Sequence, residues 1–341
     1  MKSKKIKAAV LLGGTSPERE VSQSSGKSVY EALKNSDYEI KLIDPAYGKD
    51  QPSEAESFFS KTKFSEISND NYLSAINSGI FDDIDVAFIA LHGKWGEDGT
   101  IQSLLELKNI PYTGSGVLSS SLSMDKSMSK IMFQHYEVKT PKWFVIKKDL
   151  VEYKTIKSEI KKLFSYPCII KPNDQGSTIG LSICRGDSEV EDAIDEAFKF
   201  SDTVLVEEYI KGREMAVGIL EQHALPIVEI KPKHLIYDYE CKYTDGMSEY
   251  FVPAEIPENI AHHLHHKALQ AFNSLGCKDF GRVDFILDKD YNSYCLEVNT
   301  LPGLTSHSLF PKGAKAEGIG FPELMDRIIK NTLNEKKRIK K

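Results

Sequence analysis

The residues best placed to do chemistry lie between Asp279 and Thr300, in the stretch DFGRVDFILDKDYNSYCLEVNT. It reads as two strands, 280–287 and 293–299, joined by the polar turn DKDYN. If Asp290 and Tyr291 form the tip of an antiparallel hairpin, Asp284 lies opposite Glu297 and Arg282 opposite Asn299. Strand alternation then puts these four side chains on one face, while Val283, Phe285, Leu287, Leu296 and Val298 need not share it. Two carboxylates facing each other across a sheet destabilise it unless a cation offsets them. Arg282 could do so, or a hard divalent ion: carboxylate and amide oxygens are what Mg2+ takes, keeping waters and bridging to phosphates. Taken alone, the two acids read as a solvated face. Asn299 two residues on, running into the Gly/Pro loop LPGLTSHS, favours the metal.

A second group of residues suits polyphosphate. The loop 173–180, NDQGSTIG, joins two strands and so is no P-loop; G-x-x-x-x-G-K-[ST] is absent. Its glycines and hydroxyls suit either an ordinary hairpin turn or a flap whose backbone N–H groups fold over phosphates. Lys171 before it and Lys126 upstream carry positive charge. Glu207 and Glu208 end a strand, where backbone groups up to Ile210 could read an adenine edge. Glu207 or Glu214 could accept from ribose hydroxyls or the adenine amine. None of these features is specific alone. In combination they describe an ATP–Mg site built without a Walker motif.

The elements that position them follow from hydrophobic pattern. Residues 6–12 and 84–91 are continuous apolar runs, read as buried strands that deliver GGTSPERE and HGKWGEDG at their carboxyl ends, where open α/β sheets collect ligands. Helices are expected over about 21–34, 101–108, 124–136, 150–164, 189–200, 257–275 and 321–333. Strands are expected over 142–146, 167–171, 181–184, 204–208, 215–220 and 225–230. Residues 44–79 read as a polar connection with short helices, and 231–253 as a long irregular loop of the kind that is usually functional.

Composition excludes several classes. The chain has 341 residues with 40% apolar and 28% charged side chains, and suggests two or three domains. A net charge of −6 and no internal basic stripe argue against nucleic acid; the basic end EKKRIKK reads as a frayed helix terminus. No run approaches the ~18 apolar residues of a membrane span, and the apolar run before Gly13-Gly14 is too short for a signal peptide. Cys168, Cys184, Cys241, Cys277 and Cys295 include no C-x-x-C pair and read as reduced thiols, which points to the cytoplasm. His262, His263, His265 and His266 wrap around their helix instead of converging. No Ser-His-Asp or Cys-His set is convincing, and the missing G-x-G-x-x-G argues against a dinucleotide oxidoreductase.

The motifs GGTSPEREVS (13–22), LHGKWGEDG (91–99), PYTGSG (111–116), MDK (124–126), IIKPNDQGSTIG (169–180), YDYECKY (237–243), GRVDF (281–285) and LEVNTLPGLTSHSL (296–309) occur in this order over nearly the whole chain. In this the chain resembles the D-alanine–D-alanine ligases of the ATP-grasp superfamily. The resemblance implies an α/β and α+β fold in three-domain ATP-grasp architecture: a Rossmann-like preATP-grasp domain over 1–122, a central subdomain with the phosphate flap over 123–209 and a C-terminal subdomain with the metal site over 210–341.

It also implies the reaction. ATP phosphorylates one D-alanine carboxylate, the amine of a second D-alanine attacks the acyl phosphate, and ADP and phosphate leave; the product feeds peptidoglycan synthesis. Alternatives are D-serine or D-lactate as second substrate, or an ATP-binding protein without catalysis. By the same resemblance Asp284, Glu297 and Asn299 hold two Mg2+ ions, with Mn2+ able to substitute. Lys126 and Lys171 bind phosphates, Lys242 reaches the γ-phosphate, and Glu207 and Glu214 with backbone of Glu208 and Ile210 take the nucleoside. Glu18, near His92, receives the first D-alanine's ammonium; Arg282 and the N–H of Gly303 stabilise the oxyanion; Ser177 and Tyr243 tie the flap and long loop to Glu18. Ser308 and the backbone of Leu309 bind the second carboxylate. Tyr243 after Lys242 matches the dipeptide-forming pattern and speaks against D-lactate. The resemblance implies a homodimer.

Overall fold

The computed structural model describes residues 5–234, 237, 241, 242, 244 and 246–339. Tyr243 lies outside them. Three sheets follow one another along the chain.

The first sheet has the order β2-β1-β3 and is parallel throughout, with β1 at Ile6–Leu11, β2 at Tyr38–Ile43 and β3 at Val86–Ile89. Helix α1 (Arg19–Leu33) links β1 to β2, α2 (Ala55–Phe58) and α3 (Asp70–Asn77) fill the polar connection, and α4 (Thr100–Leu107) follows β3. Strand β2 escapes a reading of apolar runs because YEIKLI interleaves charge with its apolar residues at this sheet's edge. Gly13 and Gly14 leave β1 at φ 80° and 78°. A Cβ on Gly13 would lie 2.2 Å from Asp44 Oδ2, so this turn requires glycine. Asp44 is buried, accepts from the N–H of Gly14 and of Ala46, and pairs with Arg19 at 2.6 Å. The turn is thereby locked beneath the start of α1.

The helix expected over 124–136 is α6 (Lys126–His135), and a helix not expected from the sequence, α5 (Val117–Met124), precedes it. Asp125 separates them as the N-cap of α6, accepting from the N–H of Met128 at 2.9 Å. The second sheet is antiparallel, β4-β7-β5-β6, with β4 at Trp143–Lys147, α7 at Tyr153–Leu163, β5 at Cys168–Pro172, β6 at Ser182–Cys184, α8 at Val190–Ala197 and β7 at Thr203–Glu208. Its core holds Ile156, Ile160, Ile170, Val190, Ile194 and Val206.

The third sheet runs β11-β10-β8-β12-β13, with β9 (His223–Ala224) beside β8. Its strands are β8 at Arg213–Leu220, β10 at Val228–Pro232, β11 at Ser248–Phe251, β12 at Phe280–Leu287 and β13 at Ser293–Asn299; α9 (Glu258–Ser274) covers its apolar face. The long loop is therefore shorter than its sequence suggests, because Ser248–Phe251 pairs with β10. Helix α10 (Leu309–Ala316) was not legible: its Pro311 and Gly313 are poor helix formers, yet both are buried in the packed structure.

Helix α11 (Phe321–Ile339) extends past the expected 333. Its Leu324, Met325, Ile328 and Ile329 are buried in the same cluster as β1 and β3, so its apolar stripe completes the core of the first sheet. Among the described residues no helix is long and apolar enough to cross a membrane.

Candidate active site

The hairpin β12–β13 builds the centre. Arg282 pairs with Asn299, Val283 with Val298 and Asp284 with Glu297, as expected. Beyond Asp284 the register shifts, and Phe285 faces Cys295. The reason is at the turn. Asp288 accepts from Asn292 N–H and Asp290 N–H through one carboxylate oxygen, and Tyr291 adopts φ 62°, giving a three-residue loop one position off the expected tip. A bulge at Leu296 restores the register on the site side. Its consequence is that Leu296 joins Glu297 in lining the site, contrary to simple alternation.

Asp284 and Glu297 are each met by a cation. Arg282 donates from Nε and Nη2 to the two oxygens of Asp284 at 2.7 and 2.8 Å, and the Asn299 amide adds a bond at 2.9 Å. Arg282 was expected as an oxyanion donor; here one edge of its guanidinium grips Asp284, while the residue lines both cavities described below. Lys126 Nζ lies 3.0 Å from Glu297 Oε2 and also donates to the carbonyl of Gln175. Burial alone would raise the Glu297 carboxyl, but Lys126, Lys171 and Lys242 outweigh it and hold it far below the usual carboxylate range. Among the described residues no group of three or more His, Cys, Asp or Glu side chains is arranged to hold a metal. The donor set is two carboxylates and one amide. That set fits a hard ion that keeps waters and shares its sphere with phosphate, and does not fit a dehydrated all-protein cage.

The flap stands between β5 and β6. Asn173 anchors it: its carbonyl accepts from Lys126 N–H, its side-chain oxygen from Ser127 N–H, and its amide donates to Asp125. At its tip Ile179 N–H bonds Gly176 O, with Ser177 and Thr178 both at positive φ (49° and 65°), a type I′ arrangement. The turn aims Ser177 Oγ at Glu18 Oε1, to which it donates. Thr178 donates to the Tyr237 carbonyl at 3.2 Å, joining the flap to the long loop.

Lys171 leaves β5 buried, 2.5 Å from Glu207 Oε1. The other carboxylate oxygen of Glu207 is met by Lys130 at 2.9 Å, an ion pair off the line of a hydrogen bond. Burial would raise the Glu207 carboxyl, yet the two lysines bring it down to about 2. Glu207 was expected to accept from the nucleoside; its carboxylate meets two lysines, and the residue lines the cavity under the flap. Lys130 was missed altogether, since a single lysine on a helix carries no sequence signal of burial. Glu208 sits at the end of β7, where its N–H bonds Lys142 O, and Ile210 lies just beyond. Glu214 is raised to about 7, chiefly by burial.

The substrate side is built on the first sheet. Glu18 is buried at the start of α1, under Ser177 and between two glycines: a Cβ on Gly93 or Gly176 would come within 2.6 or 2.8 Å of its oxygens. Burial and then Glu97 raise its carboxyl, against Ser177, His92 and Lys242. His92 Nε2 lies 2.9 Å from Ser25 Oγ, which accepts from Leu304 N–H, so the histidine is tied to the Gly303 loop. Ser308 stands at the N-cap position of α10, and its hydroxyl accepts from Thr305 N–H at 3.0 Å; a Cβ on Gly303 would lie 2.8 Å from that hydroxyl. Leu309 is buried beside it. Lys242 holds its ammonium 5.5 Å from the Tyr237 ring centre, and burial lowers it against the pull of Glu297, Asp284 and Glu214.

Two cavities result. One is lined by Lys126, Lys171, the flap, Glu207–Ile210 and Leu296. The other, of about 670 Å³, is lined by Glu18, His92, Gly303 and Ser308. Gly176, Ser177, Lys242, Arg282 and Glu297 belong to both. The structure thus brings together every expected site residue among those described.

Comparison with known proteins agrees. A family model described as D-ala D-ala ligase N-terminus matches residues 7–115, and one described as D-ala D-ala ligase C-terminus matches residues 132–330. A D-alanine--D-alanine ligase of Syntrophotalea carbinolica is 43% identical over 323 residues, covering 95% of each chain. The crystal structure of a D-alanine--D-alanine ligase from Bacillus anthracis complexed with ATP superposes with a TM-score of 0.77 at 33% identity, over 98% of this chain and 99% of that one. The VanG D-Ala:D-Ser ligase of Enterococcus faecalis gives a TM-score of 0.80 at 29% identity, over 96% of this chain and 100% of that one. On sequence, fold and site together, the chain belongs to the D-alanine–D-alanine ligase family of ATP-grasp enzymes.

Proposed function

We propose that the protein joins two D-alanine molecules at the expense of ATP, through an acyl phosphate, and so supplies a peptidoglycan precursor. The observation that carries this reading is the wall shared by the two cavities, which lets a phosphoryl donor in one meet a carboxylate in the other. ATP lies along β7 and under the flap, with Lys126 and Lys171 on its phosphates, the backbone of Glu208 and Ile210 at the base and Glu214 at the ribose. Asp284, Glu297 and Asn299 would hold Mg2+, which when bound supplies positive charge to phosphate oxygens.

The first D-alanine places its ammonium on Glu18 beside His92, and its carboxylate points to the shared wall. There a carboxylate oxygen bonds the γ-phosphorus as its bond to ADP breaks, with Lys242 beside the transferred phosphoryl oxygens. The second D-alanine, its carboxylate at Ser308 and Leu309 N–H, attacks the acyl carbon with its amine. Arg282 and Gly303 N–H stabilise the oxyanion as phosphate departs. No side chain becomes covalently attached; positioning and charge supply the rate. Domains at 1–122, 123–209 and 210–341, a homodimer and a cytoplasmic location belong to the same reading.

The test is phosphate release from ATP with D-alanine, D-serine or D-lactate as acceptor. Release with D-alanine alone is expected; release only with D-alanine plus another acceptor would replace the substrate assignment.

A further inference from the structure

Lys130 is fully buried on α6, and the functional reading above leaves it without a role. Its Nζ donates to Thr140 Oγ1 at 2.7 Å and meets Glu207 Oε2 at 2.9 Å. A buried lysine is costly to keep charged, and a hydrophobic side chain of similar length would pack there at lower cost. The contact it makes explains why it is present. Glu207 is shared between Lys130, which comes from α6, and Lys171, which lines the nucleotide cavity.

The charge count decides the matter. Lys130, Glu207 and Lys171 together carry one net positive charge. Without Lys130 the pair Glu207–Lys171 would be neutral, and Lys171 would present a compensated charge to the cavity. We propose that Lys130 is a positioning residue for ATP: it neutralises Glu207 from behind, so that the Lys171 ammonium stays available to the polyphosphate. The inference rests on the reading of this cavity as the ATP site.

It predicts a rescue that packing alone would not produce. In Lys130→Gln, Glu207 takes up the charge of Lys171, and the KM for ATP rises roughly tenfold at an intermediate effective dielectric, while the KM for D-alanine stays within about twofold. Adding Glu207→Gln removes the competing carboxylate, restores one net positive charge and returns the KM for ATP to within about threefold of wild type. The experiment is steady-state phosphate release with ATP and D-alanine varied separately, beside calorimetric ATP binding and a melting temperature for each variant.

An unchanged KM for ATP in folded Lys130→Gln overturns the inference. So does a folded double variant that binds ATP no better than the single one. Should Lys130→Gln fail to fold, the double variant decides: the inference requires it to fold and to bind ATP near the wild-type value, and tenfold weaker binding sinks it. Wild-type protein that binds ATP but releases no phosphate with D-alanine would defeat the proposed reaction and leave this inference testable by calorimetry.

Discussion

Glu297 faces Asp284 across the hairpin, accepts Lys126 and stays ionised against its burial because Lys126, Lys171 and Lys242 outweigh it. Replacing it with Gln removes a metal-type oxygen ligand without changing its size. We expect Glu297→Gln to lose phosphate release by roughly a hundredfold or more while far-ultraviolet circular dichroism stays native; wild-type turnover would remove Glu297 from the metal set. Ser177→Ala leaves buried Glu18 without its flap partner. Its kcat/KM for D-alanine should fall roughly tenfold, about what the loss of one hydrogen bond to a charged group gives, with little change in the KM for ATP. Equal changes in both would show that the hydroxyl holds the flap and not the substrate pocket. Glu297 was legible from its place in the hairpin, whereas Glu18 and its link to Ser177 were expected from the family resemblance alone. Lys130 was not: burial of a helix lysine depends on which element packs over it, and the nearest clue, Glu207, lies far along the chain. The commitment of Glu207 to two lysines was hidden for the same reason.

At the scale of elements, the flap turns on Gly180. It sits at φ 66°, and a Cβ there would lie 2.8 Å from Phe200 and 3.0 Å from Pro172. Gly180→Ala should therefore cost about 1–2 kcal/mol and loosen the flap. The expected sign is a higher KM for ATP with a melting temperature lowered by a few degrees; an unchanged KM would uncouple the flap's hinge from nucleotide binding. The hairpin was readable as an element from alternation, and its site-side pairing came out as expected. Its bulge was not readable, because the loop length that creates it depends on Tyr291 taking a left-handed conformation that tyrosine seldom adopts. Strand β11 and helix α10 were likewise missed, since each is stabilised by what it packs on more than by its own propensities.

At the scale of the molecule, Asp279 ties three parts together. It accepts from Gly114 N–H, from the Asn331 amide and from Thr332, joining the loop after the first sheet, the start of β12 and the last helix. Burial, then Glu335, raises its carboxyl to about 6. The unfolded chain holds that proton only below about 4, so between these values the folded state binds more protons. Asp279 therefore contributes stability at low pH that is lost as pH rises through about 6. The wild-type melting temperature should fall over that window, and Asp279→Asn, though less stable, should fall less; equal slopes would place the titration elsewhere.

The packing of Leu324, Met325, Ile328 and Ile329 against β1 and β3 has a consequence for how the protein is made. Strands β1 to β3 are synthesised long before α11, the helix that completes their core. Until the α11 segment has been synthesised, the first sheet exposes an apolar face with no native cover, which invites chaperone binding or wrong pairing. A stop codon placed just before Phe321 would therefore do its damage far upstream, in the β1–β3 layer.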